Sequence, residues 1–303
     1  MREVIQSAIN VSTSSPPVVE EIVWRISQVG SIEVADCSSD PDHNRSVITL
    51  LGGREGLEEA VFRLFEVARD RLDIRLHRGE HPRIGIVDVV PFTPWRGVTM
   101  EDCKALAWRV GEGIASRFRV PVYFYGEAAK REEHRDLSSI RRGGYEKLRE
   151  EIASVPERHP DLGPREIHPT LGATAVGARG PLVAFNVNLR TERVEVAQKI
   201  AARLREGLRW VKAIGVSLRT RGMVQVSMNL LDFRRNSIPQ VMELVRLEAR
   251  RYGVEIAGAE IIGLVPLEAL LDVVGVALGI PDFGVQRVLE YHLVEQKKFF
   301  DFS

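Results

Sequence analysis

Between Leu182 and Ile262 the hydrophobic pattern alternates with period two, lengthens to a helical period, and repeats that change in a fixed order. Leu182 to Leu189 places Val183, Phe185, Val187 and Leu189 on one side and Ala184, Asn186 and Asn188 on the other. A helical face of Ala197, Ile200, Ala201, Leu204 and Leu208 follows, then strands near Val211 to Leu218 and Met223 to Leu230. A second helix carries Val241, Met242, Val245 and Ala249, and a last strand runs from Val254 to Ile262. The order is βαββαβ, that of the ferredoxin-like split βαβ unit. Both helices of such a unit cover one face of its sheet. The apolar sides of the strands therefore meet the helices, and the amides of Asn186, Asn188, Gln225 and Asn229 face the other way. Solvated faces favour Lys, Glu and Thr, so amides here point to a ligand cleft.

The first half reads in the same order. A strand over residues 2–11 carries Gln6 and Asn10 on one side, and Pro16 and Pro17 open a helix with Val19, Ile22, Val23 and Ile26 on its inner face. Strands Ile32 to Cys37 and Ser46 to Leu51 flank the turn SSDPDHN. A helix follows with Leu57, Val61, Leu64, Phe65, Ala68 and Leu72 at helical spacing, then a strand from Ile86 to Val90. Beyond it lie a helix from Thr99, a strand from Pro121 to Tyr125 and a charged helical excursion over residues 127–157. His159 to Gly180 is rich in Gly and Pro and lacks periodicity, which predicts a linker; loops of that length are usually functional. The expected class is α+β, with two ferredoxin-like subdomains over residues 1–178 and 179–303. No residue-level repeat accompanies this duplication.

Composition narrows the partners. Lys plus Arg and Asp plus Glu each number 42, so no overall field attracts nucleic acid or an anionic membrane. The segment MREVIQSAIN has no apolar signal core, and no run is long enough to span a bilayer, so a cytoplasmic protein is expected. Cys37 and Cys103 stand far apart without a CxxC. Gly172 to Gly177 has phosphate-loop spacing, but Ala178 and Arg179 stand where Lys and Ser or Thr are required. His134-Arg-Asp136 lacks the other parts of a kinase catalytic loop.

The segment His77 to Phe92, HRGEHPRIGIVDVVPF, reads as a polar loop feeding a buried strand. Gly79 and Pro82 break any helix there, so the i, i+4 spacing of His77 and His81 does not make a metal pair. Two readings of His81 stand side by side: a satisfied loop histidine, or a general acid/base tuned by Glu80 and Arg83.

Several long motifs resemble the glutamate formiminotransferase family: HRGEHPRIG from His77, Asp88-Val-Val-Pro-Phe92, Pro121 to Ala129, Gly172 to Arg179, Ala184 to Leu189, Gln225 to Phe233 and Gly263 to Leu267. The resemblance covers nearly the whole chain, which reads as a stand-alone transferase without the cyclodeaminase fused to it in animals. It implies a homodimeric enzyme of histidine degradation that moves the formimino group of N-formimino-glutamate to N5 of tetrahydrofolate, with folate in a tunnel between the subdomains. The family's catalytic histidine falls on His81. Its folate-binding segment falls on Gly163 to Gly172, including Pro164, Ile167, His168, Pro169, Thr170 and Leu171; the strand amides Asn186 and Asn229 join this set as expected folate contacts. Tetrahydrofolate is a co-substrate, and the chemistry calls for no metal.

The substrate carboxylates ask for cationic or amide donors, for which Arg45, Arg83 and Asn10 are the candidates. The family's acidic strand-end residue is Ser38 here, with Asp40 as its stand-in. Ile9-Asn-Val-Ser-Thr-Ser14 keeps only Asn10 and Ser12 of the family's early signature, and Leu171 replaces a frequent aromatic. Two alternatives accompany this reading: a one-carbon enzyme acting on 5-formyltetrahydrofolate, and a non-catalytic folate- or amino-acid-binding module.

Overall fold

Alternating strands with one apolar side pair into sheets and lay that side on amphipathic helices, and the chain does this twice. The computed structural model describes residues 3–280 and 282–295, in two compact units, Met1–Gly180 and Pro181–Ser303. The first unit contains β1 (Val4–Val11), α1 (Pro16–Ser27), β2 (Ile32–Asp40), β3 (Arg45–Gly52), α2 (Arg54–Arg71), β4 (Val87–Arg96), α3 (Met100–Phe118), β5 (Val122–Gly126), α4 (Leu137–Ile140), α5 (Gly144–Glu151) and β6 (Thr174–Ala178). Its six-stranded sheet has the order β2-β3-β1-β4-β6-β5. The first four of these are the ferredoxin-like arrangement, and β6 and β5 extend it in parallel to β4.

Local signals explain the helix starts. Prolines occupy the first turn of α1, where no intrahelical amide is needed. Thr99 and Asp102 close a reciprocal capping box on α3. The buried faces of α1, α2 and α3, including Ile22, Leu57, Phe65 and Leu106, form one core with Ile5, Ile9, Ile48, Leu50, Val90 and Phe92 of the sheet. The opposite sheet face divides. Over β4, β6 and β5 it carries Val89, Ala175, Tyr123 and Tyr125, covered by Ile140, Leu148 and Ile152 from and beside α4 and α5. Over β1, β3 and β2 the residues of that face include Asn10, Arg45, Thr49, Asp36, Ser38 and Asp40, as the strand register requires.

The expectation of a linker over 159–180 is corrected here. Thr174–Ala178 is β6, a central strand between β4 and β5, and every one of its residues is buried. A parallel strand enclosed on both faces has no polar side and shows no alternation. Its small residues have a steric cause: a Cβ on Gly177 would lie 2.5 Å from the Tyr125 ring. Strands β2 and β4 also run farther than their sequence patterns, to Asp40 and Arg96.

The second unit contains β7 (Val183–Leu189), α6 (Val194–Gly207), β8 (Val211–Leu218), β9 (Met223–Leu230), α7 (Ile238–Arg251), β10 (Ile256–Ile262), α8 (Leu267–Leu278) and α9 (Leu289–Glu295). Its four-stranded sheet has the order β10-β7-β9-β8, the ferredoxin-like topology again. Val183, Phe185, Val187 and Leu189 pack on the buried faces of α6 and α7. The other face holds Asn188, Gln225 and Glu260 in a hydrogen-bonded group: Gln225 Nε2 donates to Asn188 Oδ1 at 2.8 Å, and Asn188 Nδ2 donates to Glu260 Oε1 at 2.8 Å. Among the described residues no helix is long and apolar enough to cross a membrane.

The interior position of β6 has a measurable consequence. Val176→Ala should lower the urea-unfolding free energy by about 2–3 kcal/mol, through lost burial and a cavity; the same change in a solvated linker would move it by less than about 0.5 kcal/mol.

Candidate active site

The loop leading into β4 is pinned to the turn between β2 and β3. Glu80 donates its backbone N–H to the Asp42 carbonyl at 3.2 Å, and His77 Nε2 donates to the Asn44 carbonyl at 2.9 Å. Gly79 crosses the turn so closely that a Cβ would stand 2.2 Å from the His43 carbonyl oxygen, so only glycine fits. His77 is thereby a buried loop histidine held through Nε2, with its Nδ1 left without a hydrogen-bond partner. Burial is the main cause that lowers its pKa, which keeps it neutral.

His81 sits beyond this clasp with partial solvent exposure. Its Nδ1–H donates to the Pro82 carbonyl at 2.8 Å, which leaves the Nε2 lone pair as the ring's acceptor. Nε2 makes no hydrogen bond among the described residues. Desolvation, then the charges of Arg45 and Arg141, then His43, hold its pKa well below the ordinary imidazole value. The His43 ring stands 5.8 Å away at 84°.

The cations beside His81 come from two elements. Arg45 opens β3 opposite Asp40, and burial first, then Arg141, pull its pKa down to about 10. Among the described residues no carboxylate forms an ion pair with Arg45. Arg141, just past α4, forms an ion pair with Asp88. Asp88 is 1% exposed and occupies a β-bulge, where one step along β1 spans two residues of β4. Its second oxygen accepts the Ile84 N–H at 2.8 Å. One carboxylate thus fixes both the exit of the His81 loop and the arginine beside it. Tyr125, its pKa raised by burial, lies close enough to feel Arg179, Arg141 and Asp88.

The remaining expected residues divide by position. Asn10 lies on β1 opposite Val47 and Val89, on the sheet face that carries Arg45, and Asp40 caps the turn by accepting the His43 N–H at 3.0 Å. Arg83 stands apart, paired with Glu146 at 2.9 Å and lining a cavity of about 370 Å³ with Arg75, Arg78 and Arg149. A second cavity of about 580 Å³ shares Arg75, Tyr145 and Arg149 with the first, and adds Arg165, Ile167 and Pro169. Four residues of the 163–172 segment line it, Arg165, Glu166, Ile167 and Pro169, and of these Ile167 and Pro169 are among the expected folate contacts. The others are architectural: His168 Nδ1 accepts the Leu171 N–H at 3.0 Å, the Thr170 carbonyl accepts the Ile74 N–H at 2.8 Å, and Leu171 is 1% exposed in the core. Gly163 and Gly172 turn with positive φ, and Pro164 lies just after the first of them. In the second unit Asn186 is buried, its Oδ1 accepting the Met228 N–H at 3.3 Å, and Asn229 is exposed.

Sequence reasoning passed over His43, Asp88 and Arg141. Asp88 carried a usable signal, since a lone acid inside the apolar run from Ile84 to Phe92 must find a partner when buried. Arg141 looked like half of a solvated pair with Arg142, and His43 like part of a turn.

Comparison with known proteins shows the family. Residues 4–179 match the formiminotransferase domain, N-terminal subdomain, and residues 184–278 match the formiminotransferase domain. The chain is 40% identical over 299 residues to a glutamate formimidoyltransferase of Streptococcus pyogenes serotype M1, covering 97% of this chain and 100% of that one. It is 42% identical over 277 residues to a glutamate formimidoyltransferase of Thermoplasma acidophilum, covering 90% and 91%. A formimidoyltransferase-cyclodeaminase of Rattus norvegicus is 39% identical over 282 residues, which span 90% of this chain and 52% of the relative. Matched in both units and along nearly all its length, the chain belongs to the formiminotransferase family.

Proposed function

We propose that this protein transfers the formimino group from N-formimino-L-glutamate to N5 of tetrahydrofolate, a cytoplasmic step of histidine degradation, with His81 as general acid/base. The observation that carries this reading is a neutral imidazole whose Nδ1–H is tied to Pro82 and whose Nε2 is unengaged, beside the partly exposed guanidinium of Arg45.

The chemistry follows from those two groups. N5 attacks the sp2 formimino carbon, a new C–N bond forms, and the nitrogen sheds its proton to His81 Nε2. The tetrahedral adduct collapses by breaking the bond to the glutamate nitrogen, which takes that proton from the imidazolium and leaves as an amine. A base that starts neutral does both steps without external acid. Nearby Arg45 and Arg141 oppose charge on the imidazolium and so favour rapid return of the proton. Arg45 offers its forked donors to a glutamate carboxylate, and Asn10 and Asp40 flank that position. Arg83, paired with Glu146, lines the first cavity and stays a candidate there for a substrate carboxylate.

Tetrahydrofolate fits the paired cavities by its own chemistry. Tyr145, Ile167 and Pro169 offer apolar surface to an aryl ring, and Arg75, Arg149 and Arg165 offer cations to its glutamate carboxylates. On the second unit's sheet Asn186 keeps its Nδ2 as an amide donor and Asn229 shares its face; both remain candidate folate contacts in this reading. A homodimer completes the proposal. Helix α8 exposes Leu267, Leu270, Val274 and Leu278 on one face, an apolar stripe suited to a second copy.

Four outcomes test the reading. His81→Ala should slow formation of 5-formiminotetrahydrofolate by about 10²- to 10⁴-fold with tetrahydrofolate binding kept. Because the folded protein holds His81 neutral, the acidic limb of kcat/KM for the native protein should fall below pH 6.5; a limb above it would reject His81 as the base. Arg45→Gln should raise KM for formiminoglutamate by about 10- to 100-fold, and Arg45→Lys should recover part of that loss. Sedimentation should give twice the monomer mass, and Val274→Glu in α8 should shift it toward the monomer.

A further inference from the structure

His81 is held by one short-range bond, from Nδ1 to the carbonyl of the next residue, and the terminal torsion of a histidine is broad on its own. A second constraint is needed to fix which nitrogen faces the reacting atom. The ring of His43 is in place to supply it. It is 4% exposed and stands 5.8 Å from the His81 ring at 84°, within the spacing of perpendicular aromatic pairs. We propose that His43 is a positioning residue for the transfer, its imidazole walling the His81 ring into the plane where Nδ1 meets the Pro82 carbonyl and Nε2 faces N5. This rests on the reading of His81 as the general base.

The backbone around His43 is unusually well tied, which gives the wall its rigidity. The His43 N–H donates to Asp40 Oδ1 at 3.0 Å, and the Asn44 N–H donates to the Pro41 carbonyl at 3.1 Å. Asn44 Oδ1 accepts from Ser14 N–H and Oγ at 3.0 and 3.1 Å, fixing a residue that turns with φ 45°. The carbonyls of residues 42, 43 and 44 then all meet the His81 loop, through the Glu80 N–H, Gly79 Cα and His77 Nε2. The turn and the loop are one body. A ring on that body moves with the loop and leaves His81 only the rotation that His43 blocks.

Charge adds a second consequence. His81 faces Arg45 from β3, Arg141 from the end of α4 and His43 from the turn, and each opposes protonation of its ring. Replacing His43 by a ring without charge removes one of the three. Asp40, which accepts the His43 N–H, stays in place.

The test compares His43→Ala with His43→Phe. Ala removes the wall and should lower kcat about 10- to 100-fold, with KM for both substrates changed less than about twofold. Nitrogen-15 spectra should show His81 as one Nδ1–H tautomer in the native protein and as a mixture in the Ala variant. Phe restores a flat ring and should recover kcat to within about threefold of the native protein, with the acidic limb moved to higher pH. Native turnover in the Ala variant, or equal loss in Ala and Phe, overturns the proposal. Should the Ala variant not fold, His43→Asn takes its place, and turnover equal to that of Phe overturns it. His81→Ala separates the two readings: normal turnover there rejects the base, whereas its loss beside native turnover in His43→Ala rejects the wall alone.

Discussion

A buried carboxylate is the joint on which the candidate site depends. Asp88 sits in the bulge of β4 at 1% exposure, and a charge so placed is tolerated only when paired and hydrogen-bonded. It meets that demand with the Ile84 N–H on one oxygen and Arg141 on the other. The first bond sets where the His81 loop enters the sheet. The second brings an arginine from beyond α4 across to the same place. Removing one partner would leave an uncompensated buried charge, which is why the loop, the helical excursion and the sheet behave as one assembly.

Electrostatics around that joint decide the chemistry. The arginines at positions 45 and 141 and the histidine at 43 all oppose a charge on His81, and desolvation acts in the same direction. The imidazole is thereby an acceptor at neutral pH. Arg45 pays in desolvation, its pKa drawn down to about 10, and retains its charge at any physiological pH. A neutral base beside a cation suits an anionic donor attacked by a secondary amine that must then lose its proton. The second unit shows a different treatment of buried polarity: Asn188, Gln225 and Glu260 hydrogen-bond to one another across three strands, with Gln225 Oε1 left unpartnered.

The elements with a clear period were legible in the sequence, and those without one were not. The alternation of Val183 to Leu189 and of Val224 to Leu230 reports a sheet covered on one side, and the βαββαβ order follows from it in both halves. Strand β6 carried no such signal, because Tyr125 and the flanking strands enclose it and admit only small side chains. Its Gly and Ala residues look like a linker when read along the chain. The motif around His81 was visible, and so was the position of Arg45. Arg83 was as conspicuous as Arg45, yet its charge is engaged by Glu146, a residue 63 positions away.

What the sequence determines by itself is periodicity: where strands and helices lie, which faces are apolar, and that His81 cannot share a helix face with His77. These are local properties, set by the spacing of side chains along the backbone. The tertiary structure alone decides which charges meet. Asp88 and Arg141 are 53 residues apart, and the turn at His43 reaches the loop at His81 only because β1 lies between β3 and β4 in the sheet. Coulombic and aromatic contacts depend on distance through space, which no local pattern encodes, so the protonation state and orientation of the His81 imidazole emerge only when the sheet is assembled.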